Sequence, residues 1–390
     1  MWNIIITGLT SLFTDISSEM IYPIISLYLL ALGSTPEIVG LIEGIAESTA
    51  SIVKVFSGAI SDRVKKRKSL AIFGYAFSPI GKFFMWLANG WGFVFIGRTL
   101  DRFGKGIRTA PRDTIIAESS PSEKRGAAFG LHRAMDTLGA IIGVIIAILI
   151  MRHFGLNEGL HTTQKLRSYL PGFKAIILLS LIPAVIGVAV LFLVKETGSG
   201  EPLAHNLSLK WSKLDKRLKA FLVVTFIFTL GNSSNQFLLM RAKGIGFSVE
   251  GVLWLYLVYN LVYGIISWPA GRLSDKIGRK TLIVSGYFVY AFVYIGFGLT
   301  STSPVMWVLF SIYGIYIAFT EGVEKALVSD IAPKDLKATL IGLHATLVGI
   351  GLFPASLLAG FIWSTLGPQF TFYFGGIMGL VAALGMLIVL

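Results

Sequence analysis

Six charged residues recur along one stretch of an otherwise apolar chain, from Phe93 to Glu118. They are Arg98, Asp101, Arg102, Lys105, Arg108 and Arg112. Spacings of three and four residues place them on one stripe of a helix. A charge at the centre of a bilayer costs about 2.5 to 17 kcal/mol, depending on the method, unless it is paired or hydrated. If this helix crosses a membrane, we expect the stripe to line a wet cavity or an ion-paired seam.

Acidic and amide side chains interrupt other apolar segments and are candidates for the same cavity. Asp15 and Glu19 are four residues apart, as are Glu43 and Glu47, and Asp136 stands in a later segment. Close carboxylates in apolar surroundings can share a proton near neutral pH, which a proton-coupled carrier requires. Static ion pairs with the basic stripe are the alternative interpretation. Further candidates from the C-terminal half are Asn232, Asn235, Gln236, Asn260, Glu321 and Glu324.

The composition indicates that these segments cross a membrane. Of 390 residues, 54% are hydrophobic and 14% are charged, and the mean hydropathy is +0.74, which is typical of a polytopic membrane protein. The net charge of +13 concentrates in alternate loops between apolar segments, which is the positive-inside pattern. We therefore expect a multi-pass protein of the cell (cytoplasmic) membrane with both termini in the cytoplasm, in contact with the lipid bilayer and with no nucleic-acid partner. Because Met1 leads straight into an apolar segment, no cleavable signal is expected.

Apolar runs long enough to cross about 30 Å of hydrocarbon predict twelve membrane-spanning helices. The predicted spans are Asn3–Leu30, Ile38–Ser61, Leu70–Ala88, Gly92–Ala117, Ala127–Met151, Gly172–Val194, Ala220–Leu239, Val249–Gly271, Thr281–Leu299, Val305–Ser329, Ala338–Ser364 and Phe370–Leu390. The one long hydrophilic break on the cytoplasmic side predicts a linker at 195–219. It separates an N-terminal six-helix bundle, 1–194, from a C-terminal one, 220–390.

An internal repeat supports two matched halves. Gly58–Arg63 recurs as Gly271–Lys276, and Pro121–Arg125 recurs as Pro333–Lys337, at nearly the same offset. Such duplication is typical of transporters whose solute site lies between the repeats.

The same offset relates the charged stripe to the tenth helix. Arg108 and Arg112 correspond to Thr320 and Glu324, and Thr109 corresponds to Glu321. One half thus presents arginines in the region where the other presents carboxylates. Our hypothesis is that one of these arginines pairs with Glu321 or Glu324 across a central cavity in one state. Exchanging the charges at Arg112 and Glu324 should then restore transport that either single substitution abolishes.

With these motifs the chain resembles the major facilitator superfamily over its whole length. The family's loop motif is Gly, three residues, Asp, Arg or Lys, one residue, Gly and two basic residues. Gly271–Lys280 matches it throughout, and Gly58–Arg67 departs only at Lys65. Arg98 stands where the family keeps an arginine, whereas Arg102 replaces a usual glycine. The resemblance implies an all-α membrane protein with two pseudo-symmetric six-helix bundles, similar to drug:proton antiporters, that works as a monomer by alternating access.

The repeated loops also predict a cytoplasmic gate. Acids at helix ends can accept hydrogen bonds from neighbouring helix starts, and basic residues can bridge to the repeat-related Glu118 and Asp330. Such pairs would hold the cytoplasmic side closed and break during the cycle, whereas charge that only sets topology is the simpler alternative. The predicted gate residues are Gly58, Asp62, Arg63, Arg67, Glu118, Arg125, Gly271, Asp275, Lys276, Arg279 and Asp330.

Three glycines of the fifth span bear on the direction of transport. Gly130, Gly139 and Gly143 have the spacing of a motif found in the family's exporters, but Val144 and Ala147 stand where the motif expects a proline and further glycines. The match favours export, and tight helix packing is the alternative explanation.

Together these features predict a secondary active transporter rather than an enzyme. No phosphate-binding loop, metal-ligand cluster or nucleophile–base signature stands out, so we predict no catalytic residue, cofactor or metal site. We expect proton-coupled export of a small organic solute in exchange for protons. One alternative is an anionic metabolite held by the four arginines of the stripe, because guanidinium groups bind carboxylate and phosphate bidentately. A receptor or lipid-handling carrier on the same scaffold is the other.

Overall fold

The computed structural model describes residues 1–64, 66–121, 125–154, 166–197, 215–332 and 337–389, and within them the chain forms twelve long helices and no strand. The helices are α1 Trp2–Ala31, α2 Pro36–Val64, α3 Arg67–Leu87, α4 Trp91–Glu118, α5 Arg125–His153, α6 Leu170–Leu191, α7 Lys216–Ile245, α8 Val249–Ile277, α9 Arg279–Leu299, α10 Ser303–Ile331, α11 Lys337–Thr365 and α12 Pro368–Val389. Each predicted span corresponds to one of these helices. The prediction of an all-α membrane protein with twelve spans is confirmed.

Ten of the twelve helices are long and apolar enough to cross a membrane by composition alone. The other two are α2 and α4, which carry Glu43, Glu47 and the charged stripe. Charge on these two helices is therefore the main departure from an ordinary bundle of apolar spans.

The start of α7 lies inside the segment predicted as a linker. Asp215 caps this helix, because its side chain accepts hydrogen bonds from the backbone N–H groups of Arg217 at 2.7 Å and Leu218 at 3.4 Å. An acidic N-cap satisfies donors that have no partner within the helix. Residues 198–214 of the predicted linker, and 155–165 of the loop before α6, lie outside the described residues.

Two helices are interrupted near polar residues. α1 tightens into a 3-10 turn at Tyr22–Ile24, where Pro23 has no backbone N–H to donate. α7 opens at Asn232–Asn235. The hydroxyl of Tyr290 donates to the carbonyl oxygen of Gly231 at 2.8 Å, which satisfies a backbone group freed by the break. Irregular backbone is tolerated at membrane depth only where protein or water supplies such partners.

The chain divides into two compact units. One contains α1, α3 to α6, the part of α2 that begins at Ile45, and Ser248–Leu253. The other contains Pro36–Gly44 of α2, then α7, the remainder of α8, and α9 to α12.

In the first unit, glycines allow close helix crossings. Gly81 of α3 and Gly97 of α4 face each other so closely that a Cβ atom on either would overlap the carbonyl oxygen of the other. Gly139 and Gly143 of α5 lie against backbone carbonyl groups of α1 in the same way. Small residues at such crossings let helix backbones approach. The first crossing holds α4 and its charges at short range from α3, and the second holds α5 against α1.

The second unit is packed around tyrosines. Tyr287, Tyr290 and Tyr294 are fully buried along one face of α9. The ring of Tyr287 stacks on Phe228 with centroids 4.0 Å apart, and Tyr290 lies 4.9 Å from the ring of Tyr316 on α10. Aromatic rings bury much surface but bring hydroxyl groups that need partners, so polar contacts are built into this core.

Candidate functional site

The first two arginines of the stripe form a buried ion-paired seam with α2. Arg98 Nη2 donates to Glu47 Oε1 at 3.3 Å, and Arg102 Nε lies 3.0 Å from the same oxygen, in an ion pair without the angle of a linear hydrogen bond. Both guanidinium groups lie over the ring of Tyr22, 5.3 and 5.8 Å from its centroid, where cation–π attraction partly replaces lost hydration. This arrangement is one of the two that the sequence predicted for the stripe.

Asp101 is linked to the buried cation of Lys82 through the hydroxyl group of Ser78. Ser78 donates to Asp101 Oδ1 at 2.7 Å and accepts from Lys82 Nζ at 2.9 Å. Lys82 also donates to Ser17 at 2.5 Å and Ser18 at 3.3 Å. Because Lys82 is only 1% exposed and a buried charge is costly without partners, this chain of contacts fixes α1, α3 and α4 together.

Lys105 and Arg108 continue the stripe without an acidic partner. Arg108 is buried with its guanidinium carbon 4.4 Å from the ring centroid of Tyr75. Its buried Nη1 has no hydrogen-bond partner among the described residues. Lys105 is exposed, and no described acid forms an ion pair with either cation. A buried donor without an acceptor is costly, and a carboxylate or phosphate oxygen has the chemistry to supply one.

Arg112 and Asp15 border that position. Arg112 donates to Asp113 Oδ1 at 3.0 and 2.8 Å and to Ser11 Oγ at 3.3 Å. Asp15 on α1 is half-buried and faces the charges of Lys105, Arg108 and Arg112. We call Lys105, Arg108 and Arg112 the basic cluster.

Asp136 is held by a histidine on its own helix, α5. His132 Nδ1 lies 3.4 Å from Asp136 Oδ2, and His132 Nε2 lies 2.8 Å from Ser11 Oγ. Ser11 Oγ is also 3.4 Å from the hydroxyl of Tyr75. A polar chain thus connects Asp136 with the residues around the basic cluster.

In the second unit, the break in α7 presents amides to buried tyrosines. Asn235 donates to the hydroxyl of Tyr259 at 3.2 Å and accepts from Tyr313 at 2.7 Å. Asn232 donates to the hydroxyl of Tyr316 at 3.1 Å. The two amides predicted for a cavity therefore belong to a hydrogen-bonded network of tyrosines.

The two remaining uncharged candidates and two of the acids do not belong to the clusters described above. Gln236 is buried, and Asn260 donates to the backbone of its own helix, at Tyr256, at 2.9 Å. Glu43 is buried and accepts from Ser234 Oγ at 3.4 Å. Half-buried Glu19 completes this group.

The two predicted acids of α10 have partners within the second unit. Glu324 is buried, accepts from the hydroxyl of Tyr287 at 3.0 Å, and lies 3.3 Å from His344 Nε2. Glu321 is exposed and accepts from the hydroxyl of Tyr263 at 2.7 Å. Pairing of these acids with Arg108 or Arg112 stays a prediction.

Two of the predicted gate pairs are present. Arg67 Nε donates to both carboxylate oxygens of Glu118 at 3.0 Å, and Arg67 Nη2 lies 2.8 Å from Oε1. In the other half, Arg279 pairs with Asp330 and lies 3.4 Å from Asp275. The repeat thus preserves the same basic–acidic pairing at both loops, and its role as a gate stays a prediction.

The other gate candidates divide into packed and exposed positions. Gly58 lies against Ala110, whereas Gly271 faces open space. Arg125 donates to the carbonyl oxygen of Ala117 at 3.3 Å. Exposed residues are Arg63 and Lys276, and the side chain of Asp62 lies outside the described residues.

Sequence reasoning missed the neutral residues that organise these charges. Tyr22 and Tyr75 support guanidinium groups, and Ser11 and Ser78 join charged side chains. The available signal was polar residues on the inner faces of α1 and α3, at helical spacing from Asp15 and Lys82. That pattern indicates a face of a helix but not which side chains on other helices will meet it.

The sequence profile described as Major Facilitator Superfamily matches residues 7–241 and again 220–390. The chain belongs to this superfamily. A relative from Methanocaldococcus jannaschii, named as an uncharacterized MFS-type transporter, MJ1317, is 36% identical over 99% of this chain and 94% of its own length. Membership in the major facilitator superfamily identifies the protein as a multi-pass membrane transporter of the secondary type.

The chain is also similar to a more distant relative in sequence and to a solved structure in fold. The multidrug resistance protein MdtH of Proteus mirabilis is 22% identical over 83% of this chain and 77% of its own length. The crystal structure of the nucleoside transporter NupG has a TM-score of 0.77 at 13% identity, covering 100% of this chain and 99% of its own. The fold of two six-helix repeats is thus the one shared by this superfamily.

Proposed function

We propose that this protein is a secondary transporter of small anions with carboxylate or phosphate groups, that it works by alternating access and that it is driven by protons. The observation that carries the proposal is the buried guanidinium of Arg108, whose Nη1 has no acceptor among the described residues. An anion with a carboxylate or phosphate group would supply that acceptor.

The charges around Arg108 favour the same substrate class. Asp15 faces both Lys105 and Arg108, and its single negative charge offsets at most one of the two. Glu47 also acts on Lys105, and Asp101 on Arg108, but these two acids already have closer partners of their own. A bound anion would balance the other of the two cations, Lys105 or Arg108. Arg98 and Arg102 are already paired with Glu47. The residues proposed to bind the anion are therefore those of the basic cluster, and no longer all four arginines of the stripe.

Transport by purified protein in proteoliposomes tests the proposal. We expect radiolabelled succinate, citrate or phosphate to accumulate under an imposed pH gradient, and ethidium and neutral nucleosides to remain at background. Arg108→Gln should lower the flux of the transported anion about ten- to hundredfold, because a charge-assisted hydrogen bond contributes about 1.5 to 3 kcal/mol. Movement of ethidium alone, or equal flux in the variant, would contradict the proposal.

A matched substitution controls for the loss of a positive charge. Arg272 is exposed and lies over the ring of Trp268 at 4.9 Å, outside the basic cluster. Arg272→Gln removes the same charge and should leave anion flux close to that of the unmodified protein. An equal loss in both variants would indicate a general effect of net charge.

Export of an uncharged or cationic drug-like solute in exchange for protons is the second candidate. It is favoured by the tyrosine-rich core of the second unit, where the rings of Tyr290, Tyr313 and Tyr316 lie in tilted contact, and by the relative named as multidrug resistance protein MdtH. Aromatic surfaces bind flat apolar cations through stacking and cation–π attraction. Ethidium efflux that is lost in Tyr316→Ala and retained in Arg108→Gln would select this candidate.

A further inference from the structure

The pair formed by Asp136 and His132 has no role in the proposed anion site, yet it is connected to that site. His132 is 4% exposed, and its ring lies between Ser11 Oγ at 2.8 Å and Asp136 Oδ2 at 3.4 Å. The second carboxylate oxygen of Asp136, Oδ1, is buried and has no hydrogen-bond partner among the described residues. One oxygen of this acid is therefore held while the other is unused.

The hydrogen-bonding chemistry gives this chain a direction. Guanidinium nitrogens only donate, so Ser11 Oγ accepts from Arg112 Nη1 at 3.3 Å. We assign the hydroxyl proton of Ser11 to His132 Nε2, and this tautomer places the ring proton on Nδ1, facing Asp136. The chain therefore runs from Arg112 through Ser11 and His132 to the carboxylate of Asp136, whose negative charge partly balances Arg112.

A second branch joins the same hydroxyl to Arg108. Ser11 Oγ lies 3.4 Å from the hydroxyl of Tyr75, and the ring of Tyr75 carries Arg108 on its face at 4.4 Å. Both arginines of the basic cluster are thus connected to His132 through one or two side chains, and through His132 to Asp136. The charge at Asp136 is in a position to affect how strongly the cluster attracts an anion.

The charged groups facing this pair come from three helices. Asp15 faces it from α1, Arg112 from α4 and Arg133 from α5 itself. α3 contributes the hydroxyl of Tyr75 near Ser11. The one charged residue of α6 is Lys174, which donates to Asn89 instead.

We propose that Asp136, positioned by His132, is the site at which a proton binds together with the transported anion. The inference rests on the proposed function for the identity of that anion. A hydronium ion transfers one proton to the unused Oδ1 and leaves as water, so an O–H bond of hydronium breaks as the O–H bond of the carboxyl group forms. Oδ2 stays 3.4 Å from His132 Nδ1, and the carboxylate becomes a neutral carboxylic acid. The surroundings of Arg112 and Arg108 then lose one negative charge, so the basic cluster attracts an anion more strongly.

This coupling has a defined sign. Proton binding favours anion binding, and by linkage anion binding favours proton binding to the same extent. A transporter built in this way moves the two in the same direction. The inference therefore predicts proton–anion symport, in contrast to the exchange of solute for protons expected from the sequence.

A pH-difference infrared spectrum of the protein in liposomes tests the proton site without any substrate. We expect a protonated-carboxyl band that titrates in the unmodified protein, disappears in Asp136→Asn and persists in Glu250→Gln. Glu250 serves as the control because it is an acid of α8 that pairs with Arg152, at the C-terminal end of α5 and away from the pair of Asp136 and His132. A titrating band unchanged in Asp136→Asn, or no band in the unmodified protein, would overturn the inference.

His132→Gln keeps the test decisive if Asp136→Asn does not fold. This variant removes the ring that holds Oδ2 and should shift both the frequency and the titration midpoint of the band. An unchanged band would contradict the positioning role of His132 and, with it, the assignment of the band to Asp136.

Transport measurements separate this inference from the proposed function. With radiolabelled succinate, citrate and phosphate as probes, Asp136→Asn should retain exchange of labelled for unlabelled anion and lose accumulation driven by a pH gradient. Retained accumulation would refute the proton site alone, and loss of exchange as well would show that Asp136 acts in anion binding instead. If no probe anion moves in the unmodified protein, the proposed function fails, and the infrared result still decides whether Asp136 binds a proton.

Discussion

Arg102 Nε lies 3.0 Å from Glu47 Oε1, and both side chains belong to helices with too many charges to qualify as apolar spans. Arg102 is 6% exposed, and Arg98, which donates to the same carboxylate, is 3% exposed. Two buried guanidinium groups thus share the carboxylate of Glu47, and Arg98 also lies 4.0 Å from Asp101 Oδ2. Removing one partner of a buried ion pair leaves an uncompensated charge, which costs more than the pair contributes when intact.

We therefore expect Glu47→Gln to be strongly destabilising. The loss should be about 3 to 5 kcal/mol, the range for breaking a buried ion pair from one side, and should appear as a lower melting temperature in detergent. Glu250→Gln, which removes the same charge next to the exposed Arg152, should change the melting temperature little. Adding Arg102→Gln to Glu47→Gln should recover part of the loss, and a double variant less stable than Glu47→Gln would count against this account.

The contact of Lys82 with Asp101 through Ser78 gives a second prediction. Lys82→Met and Asp101→Asn should each be destabilising, because each leaves one buried charge with less compensation. The double variant should be more stable than the sum of the single effects predicts, with an interaction energy of about 0.5 to 3 kcal/mol. A melting-temperature cycle with Ser78→Ala as a further variant measures this, and strict additivity would show that the two charges do not interact.

The fold could be predicted from the sequence because two independent patterns indicate the same architecture. The repeat of Gly58–Arg63 at Gly271–Lys276 and the run of apolar segments each predict the same duplicated bundle. The pairing of Arg67 with Glu118 was also predictable, since both lie at helix ends beside a family motif. At such ends, few other side chains of opposite charge are within reach.

The arrangement of the interior charges was not predictable in the same way. Periodicity shows that Arg98, Arg102 and Arg108 share a face, but not that Glu47 meets the first two and leaves the third without an acid. That outcome depends on the crossing of helices at glycines and on side-chain rotamers. Tyr75 was missed for the same reason, because its ring becomes a support for Arg108 only when α3 and α4 are in contact.

The glycines of α5 allow a test between an export motif and helix packing. A Cβ at Gly139 would lie 3.2 Å from Asp15 Cβ and closer still to the backbone of α1, whereas Gly130 has nothing within 4 Å. We expect Gly139→Ala to cost about 1 to 3 kcal/mol through overpacking and Gly130→Ala to be neutral or stabilising by up to about 1 kcal/mol through helix propensity. Melting temperatures in detergent measure both. Equal effects on stability, with a loss of transport confined to Gly130→Ala, would favour the export motif.

Substitution of Glu118, the partner of Arg67, distinguishes two roles for this ion pair. The pair could act as the predicted gate, or its positive charge could only set the orientation of the protein in the membrane. Orientation in the membrane depends on Lys and Arg in short loops, and acids contribute little. Glu118→Gln leaves every Lys and Arg in place, so a purely topological role predicts no effect. A gate role predicts that anion uptake in proteoliposomes falls about tenfold, since a charge-assisted hydrogen bond contributes about 1.5 to 3 kcal/mol to the state it stabilises.

Two further variants complete this comparison. Arg67→Lys retains the charge but loses the planar fork that binds both oxygens of Glu118, so a gate role predicts an intermediate loss of uptake. Because the chain has no cysteine, a single cysteine introduced into a loop reports orientation by its reaction with an impermeant thiol reagent. Reduced uptake with unchanged labelling would support the gate. Altered labelling in Glu118→Gln would instead mean that the pair acts on membrane insertion, because a gate changes the rate of transport without reversing the orientation of the helices.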